Sequence, residues 1–317
     1  GQSPASGSSE SYASIFAEYA LMRAKSDPKF LVLMSAVPAL LGLSQERREE
    51  LGKHYLDVGI AEETAVAMAS GAAHAGAHVV WGSSATFIQR TYDQLTQDLA
   101  LNQNPAVIVG SGSIRGLMAA THQGLSSISM IANIPNMVYL APSNVEEYVA
   151  MLDWALDQDK HPVYIAIPSG PVVHAEGPVR INFDDLNTYE VTRQGSKAAV
   201  LALGDFYDLG EKTVEVLSST LGIEATLVKP YFASGVDQNL LDNLVKGHDV
   251  IVTIEDGIIE GGWGQNIASY LGTSSARVLN YGVKKAFYDR VNIADLMRES
   301  HLDPELIAAD VKQVLGL

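Results

Sequence analysis

The sequence contains no cysteine, which excludes disulfides, thiolate metal sites and thiol nucleophiles together. It is poor in positive charge: 21 Lys and Arg stand against 37 Asp and Glu, a formal net charge of −16. A chain this acidic repels nucleic acid and anionic membrane surfaces, so neither is expected as a partner. No apolar run approaches the ~20 residues that cross a bilayer. The opening Gly1 to Ser9 (GQSPASGSS) has no apolar segment of the kind a secretory signal needs. Residues 1–10 read instead as a linker or an expression scar. The lack of cysteine is compatible with a reducing compartment, and the expectation is a cytoplasmic protein.

What is present is a large apolar fraction, 47% of 317 residues, enough for two globular domains. Apolar, β-rich runs alternate with helical stretches from end to end. The candidate strands are Phe30–Met34, His78–Trp81, 106–109, 136–140, Val163–Ile167, 198–203, 224–228, 249–254 and 277–280. Most are continuous apolar runs, the pattern of parallel strands covered on both faces. Between them, Ile88, Tyr92, Leu95 and Leu99 share one helical face, as do Val145, Val149 and Leu152. Pro142-Ser143 makes a plausible cap for the second of these helices, with Glu146 and Glu147 near its positive end. The expected fold is α/β: two domains, each a mostly parallel sheet flanked by helices. The rhythm breaks between about residues 171 and 196, far longer than a usual ~4–6 residue connection. The expected division is therefore 11–178, a connector 179–196, and 197–317.

Four segments carry potential chemistry, and each also has an ordinary reading. In DVGIAEE (57–63), Glu62 ends a short extended run just before an Ala-rich helix, where a glutamate is also favoured by the helix dipole. In TFIQRTYDQ (86–94), Phe87 can stack on a flat ring and Arg90 can donate hydrogen bonds; equally, Phe87 is a core aromatic and Arg90–Asp93 a surface pair. In THQG (121–124), His122 can serve as general acid–base, although a lone loop histidine is more often merely solvated. The glycines of EDGIIEGGWG (255–264) suggest a tight turn into a helix. No Gly-Lys-Ser/Thr occurs there and no GxGxxG follows a strand, so this segment reads as structural or as a subunit contact.

Taken in order and at these intervals, DVGIAEE, TFIQRTYDQ, THQG and IPNMVYLAPSN (134–144) resemble the pyrimidine-binding module of the transketolase family, in particular its 1-deoxy-D-xylulose-5-phosphate synthase branch. LVKP (227–230), VTIEDGIIEGGWG (252–264) and VLNYGV (278–283) are similar to the family's C-terminal domain. The resemblance implies a thiamine-diphosphate-binding fold followed by a transketolase C-terminal-like domain, and a cytoplasmic homodimer in isoprenoid biosynthesis. It implies that Glu62 is the cofactor-activating glutamate, hydrogen-bonding the aminopyrimidine so that its amino group can accept the thiazolium proton. It implies that Phe87 stacks on the pyrimidine, that Arg90 lies beside it, and that His122 faces the reacting substrate. The implied substrates are a 2-oxo acid or ketose donor and an aldehyde acceptor.

Two departures accompany the resemblance. Family members hold Mg²⁺ and the diphosphate with a GDG motif and a downstream asparagine. No GDG occurs here; Gly204-Asp205-Phe206 and Glu255-Asp256-Gly257 come nearest, and both lie in the other domain. Thiamine diphosphate and Mg²⁺ therefore require a diphosphate-binding module from a missing N-terminal half or a separate subunit. The substrate positions also differ. The synthases' tyrosine before the stacking phenylalanine is Ser84, their two phosphate-binding arginines are Ser111 and Ser169, and an aspartate before the histidine is Met118. Arg115 lies near but out of register. At ~1.5–3 kcal/mol per hydrogen bond to a charged group, two lost guanidinium forks weaken a phosphorylated acceptor severely. The expectation is a synthase-like transferase with another acceptor. The alternatives are a β-type subunit of a split transketolase or 2-oxo acid dehydrogenase, and a non-catalytic scaffold with an eroded substrate site.

Overall fold

The computed structural model describes residues 10–117 and 119–317. Gly1–Ser9, read above as linker or scar, and Met118 lie outside the described residues. Two sheets organise the chain, and the continuous apolar runs form most of both. The first contains β1 (Phe30–Met34), β2 (Tyr55–Asp57), β3 (His78–Ser84), β4 (Val107–Ser111), β5 (Val138–Leu140) and β6 (Val163–Ile167). Their order is β2-β1-β3-β4-β6-β5, and every pairing is parallel. The second contains β7 (Glu190–Arg193), β8 (Lys197–Ala202), β9 (Thr226–Lys229), β10 (His248–Ile258) and β11 (Arg277–Val283), in the order β11-β10-β8-β9-β7. Here only β7 runs antiparallel, against β9. Parallel sheets must be covered on both faces, and the helices supply that cover.

The sequence pattern misses two strands, β2 and β7. Both are short, and each alternates exposed with half-buried positions rather than presenting an apolar run. β7 lies inside the stretch taken from sequence as connector. The Ile88–Leu99 segment is helical but changes pitch repeatedly: an α turn Ala85–Ile88, a 3-10 turn Gln89–Thr91, an α turn Tyr92–Gln94 and a π-helical stretch Leu95–Leu101. Ile88, Leu95 and Leu99 are buried as their spacing predicts, whereas Tyr92 is exposed. The helix Val145–Asp157 is capped one residue later than Pro142-Ser143 suggests. Asn144 accepts from the Glu147 amide at 2.9 Å.

The two sheets meet through backbone and charge. The Ala141 amide donates to Tyr231 at 2.8 Å and the Ala233 amide to Tyr139 at 3.0 Å. Glu147, almost fully buried, accepts from Lys229 at 2.5 Å. Truncating either partner would leave a buried charge uncompensated.

Candidate functional site

In an open parallel sheet, ligand-facing groups gather beyond the carboxyl ends of the strands. Glu62 follows β2, Phe87 follows β3 and His122 follows β4, so the topology brings all three to one edge. The turn after β2 is shaped by Asp57. Its carboxylate accepts from the amides of Ala36 and Gly59, both at 2.9 Å, and from the Tyr55 hydroxyl at 3.1 Å. Burial works against that charge, but these donors outweigh it and hold the Asp57 carboxyl below its usual range. The turn delivers Glu62 to the first position of the helix Glu62–His74. Ala65, Val66, Ala69 and Ala73 of this helix are buried, with Leu33 and Trp81 in the same core, so its small side chains let it lie close to the sheet.

Glu62 itself is 2% exposed. Its partner is Arg90, not the dipole alone: Arg90 Nη1 lies 3.1 Å from Oε1 and 3.0 Å from Oε2. The arginine–Asp93 pair considered from sequence is thus replaced by a contact with a residue far back in the chain. The Arg90 guanidinium also stands 5.4 Å from the centre of the Phe87 ring, within cation–π range. The Arg90 side chain is 49% exposed against 3% for Glu62, so a buried carboxylate is held by a partner with one side in solvent. A ligand donor can take that partner's place only if it compensates the same charge.

Phe87 is half-buried and meets His122 edge-on, with ring centroids 5.5 Å apart and planes at 81°. The loop carrying His122 is pinched at its base. Cβ atoms added to Gly112 and Gly124 would stand 2.8 and 2.7 Å from the Ala85 side chain, and Gly124 has φ +64°. That is the physical meaning of the last letter of THQG: only glycine closes the loop against the start of the Phe87 helix. Thr86 Oγ1 donates to the Thr121 carbonyl at 3.2 Å, and Thr121 Oγ1 lies 2.8 Å from His122 Nδ1. With that hydroxyl as donor, the imidazole carries its proton on Nε2.

The sequence-predicted residues Glu62, Phe87, Arg90 and His122 are therefore neighbours in sequence of contact: carboxylate to guanidinium to phenyl ring to imidazole. The serines at the changed positions share the same edge. Ser84 and Ser111 are register partners at the ends of β3 and β4, and Ser111 pairs with Ile167 at the end of β6. Ser111 and Ser169 line an open cleft of about 390 Å³ in which, among the described residues, Glu10 is the one charged lining residue. Arg115 does not compensate for the missing cations. It donates to the Asp205 carbonyl at 3.0 Å and to Asp208 at 2.8 Å, and it stacks 4.8 Å from the centre of the Phe206 ring. Gly204–Phe206, one of the two near-matches to GDG, is a 3-10 turn whose Asp205 accepts from the Ser169 and Gly170 amides. Among the described residues, no group of three or more His, Asp or Glu is arranged to hold a metal ion.

The other near-match, at EDGIIEGGWG, is built as structure. Glu255, fully buried, accepts from the amides of Trp263 at 2.9 Å and Gly264 at 2.8 Å and so caps the helix Trp263–Tyr270. Burial pushes its carboxyl up to about 7, against the pull of those amides. Sequence reasoning missed Asp57, Thr86 and the C-terminal-domain contacts to the His122 loop. Asp57 had a signal, an aspartate two residues before a glycine in a turn; the others are long-range.

Comparison with known proteins identifies the family and the fold. The sequence matches the profile of the transketolase pyrimidine binding domain over residues 11–172 and that of the transketolase C-terminal domain over residues 187–307. It is 31% identical over 307 residues to 1-deoxy-D-xylulose-5-phosphate synthase from Clostridium tetani, covering 96% of this chain and 49% of that protein. To the synthase of the same name from Pseudoalteromonas translucida it is 33% identical, covering 96% of this chain and 48% of that one. The chain thus spans about half the length of the curated relatives it matches. Among solved structures, a split gene transketolase, an inactive beta4 tetramer, superposes with TM-score 0.83 at 20% identity, covering 96% of this chain and 97% of that one. A transketolase mutant from Pichia stipitis superposes with TM-score 0.78 at 16% identity, covering 99% of this chain and 47% of that one. No helix among the described residues is long and apolar enough to cross a membrane. With one profile matching half the chain and the fold in agreement, the chain belongs to the transketolase family.

Proposed function

We propose that this chain is the cofactor-activating half of a thiamine-diphosphate-dependent carbon–carbon transferase, related to 1-deoxy-D-xylulose-5-phosphate synthase. The observation that carries the reading is Glu62: a buried carboxylate at a helix start, beside an aromatic ring and an imidazole, balanced by a half-exposed arginine. These residues fit an aminopyrimidine. When bound, thiamine diphosphate supplies a carbon nucleophile for attack on a carbonyl. Glu62 would hold a proton at the pyrimidine ring nitrogen, a role that needs a carboxyl shielded from water. Phe87 would present its face to the ring, and Arg90 would fix Glu62 before the ligand arrives. His122 would hold or donate a proton at the substrate oxygen. The diphosphate and its Mg²⁺ would be held by residues outside this chain, on a preceding segment or a partner subunit. The division into 11–178, 179–196 and 197–317 belongs to the same proposal, as do the cytoplasmic location and the dimer.

The cleft at Ser111 and Ser169 favours an acceptor aldehyde without a phosphate, because among the described residues Glu10 is its charged lining residue and no guanidinium lines it to desolvate a dianion. A second reading, the β-type subunit of a split transketolase, is favoured by the solved split-gene structure, which has nearly the same extent. Calorimetry separates these readings from a non-catalytic scaffold. The chain is titrated with thiamine diphosphate and Mg²⁺, alone and with a diphosphate-binding half supplied, and the mixture is assayed for pyruvate decarboxylation with a panel of aldehydes. Binding and turnover only in the mixture are expected. A mixture that stays fully active with Glu62→Ala sinks the mechanism, and one that never binds cofactor favours the scaffold.

A further inference from the structure

The His122 loop is held from two sides. From its own domain come the Thr86 hydroxyl and the Ala85 contact described above. From the other side, besides the Arg115 contacts with Asp205 and Asp208 given above, come four hydrogen bonds shared with the second domain. Asp256 accepts from the Ile114 amide at 2.7 Å, near the start of the loop. Asp289 accepts from the Ala120 amide at 3.2 Å, two residues before His122. The Gln123 side chain donates to the Tyr288 carbonyl, one residue after it. The Ile258 amide donates to the Leu125 carbonyl at 3.0 Å, where the loop ends. The contacts bridge 142 residues of chain at Ile114 and 169 at Ala120. Within the loop, the described backbone bonds reaching these positions are few: His122 to Ala119, Gly116 and Leu117 to Ser113 and Ile114, and Ser127 to Gly124. A segment so thinly bonded to itself takes its shape from what surrounds it.

We propose that the C-terminal domain sets the position of His122, and that Asp289 is a positioning residue which fixes the backbone two residues before the imidazole. The inference rests on the reading of His122 as substrate-facing. It gives the second domain a part in the chemistry without bringing any of its side chains to the substrate. Asp289 is exposed and Asp256 is half-buried, so the two hold the loop in different ways. Asp256 anchors a base that is already packed. Asp289 supplies one charged acceptor to an amide otherwise open to water. Losing a hydrogen bond of that kind corresponds to about a tenfold change in local opening.

The test uses Asp289→Ala and Asp289→Asn in the full chain, alone and mixed with a diphosphate-binding half. Because Asp289 is exposed, neither change empties core volume. Asn keeps a carbonyl oxygen that can accept from Ala120, whereas Ala does not. Expected for Asp289→Ala is about tenfold faster amide hydrogen exchange across residues 119–125 and about tenfold lower kcat, with cofactor affinity unchanged; Asp289→Asn stays within about twofold of the parent in all three. Unchanged exchange in Asp289→Ala overturns the inference. So does lost protection with undiminished kcat, and so does an Asn variant as impaired as the Ala variant. Should the parent mixture show no turnover, the proposed function fails. Exchange, together with the His122 ring signals in NMR spectra, then decides the positioning claim alone: unmoved signals in Asp289→Ala overturn it and a shift restored by Asn supports it.

Discussion

Glu62 and Glu255 are both buried glutamates beside a helix start, 2% and 0% exposed, one in each domain. Their surroundings differ in what holds the charge. Glu255 is held by two backbone amides that no ligand can displace without unwinding the helix Trp263–Tyr270. Glu62 is held by the end of one flexible side chain, half in solvent, beside a half-buried ring. A carboxylate satisfied by backbone is part of the scaffold. A carboxylate satisfied by a movable cation is available to a ligand that brings its own donor. Burial alone does not separate the two; the partner does.

The sharpest way to break the comparison is to neutralise each glutamate and measure two quantities. Glu62→Gln is expected to lower kcat of the assembled enzyme by about 10²–10⁴-fold, the range of general acid–base contributions. Its melting temperature should barely move, because Arg90 can turn to solvent. Glu255→Ala is expected to do the reverse. Two amides lose their acceptor in a dry site, at roughly 1–3 kcal/mol each, and melting should fall by many degrees. Two variants with matching profiles would erase the distinction.

Titration sharpens it further. The Glu255 carboxyl rises from an ordinary 4.5 to about 7 because it is buried, and the neighbouring Asp256 carboxyl is pushed in the same direction. An acid whose folded pKa is raised binds its proton more tightly in the folded state. Its favourable contribution is therefore greatest below its unfolded value and is lost as pH climbs through the folded one. For Glu255 the span of about 2.5 pKa units corresponds to roughly 3 kcal/mol. Melting temperature should fall between about pH 5 and pH 8 in the parent. It should fall less in Glu255→Ala once the difference is taken at each pH. A parallel pair of curves would show that Glu255 does not titrate in this window.

Part of this was legible in the sequence, and the reasons are physical. The mostly buried strands β1, β3, β4, β6, β8 and β10 announce themselves because parallel strands covered on both faces are continuously apolar. β2 and β7 do not, since a short edge strand with alternate faces in solvent lacks that run. The resemblance of the ordered motifs pointed to Glu62, Phe87 and His122, and the fold places all three beyond the ends of β2, β3 and β4. Arg90 was recognisable as a donor, but not its partner, because a contact across 28 residues leaves no local spacing. The glycines of EDGIIEGGWG signalled a tight turn, and the turn is there; that its glutamate is the cap follows only from the fold. The second domain's supports of the His122 loop were invisible for the same reason, as they join residues more than a hundred positions apart.

The smallest expected effect concerns Arg90, and it probes the middle of the comparison. Arg90 Nη1 sits almost equally far from both Glu62 oxygens, so the contact is a single bridging nitrogen rather than a two-pronged fork. A lysine ammonium can replace a point donor of that kind where it cannot replace a fork. Arg90→Lys should therefore keep stability within about 0.5 kcal/mol, while Arg90→Ala should cost about 1 kcal/mol, discounted for the half of the side chain that is in water. Chemical denaturation at low and high salt measures both, and the difference between the variants should shrink as salt screens the exposed side of the pair. If Arg90→Ala instead destabilised the chain as strongly as Glu255→Ala, Glu62 would depend on Arg90 in the way Glu255 depends on its backbone amides. A ligand could not then displace the arginine without unfolding its surroundings, and Glu62 would belong to the scaffold.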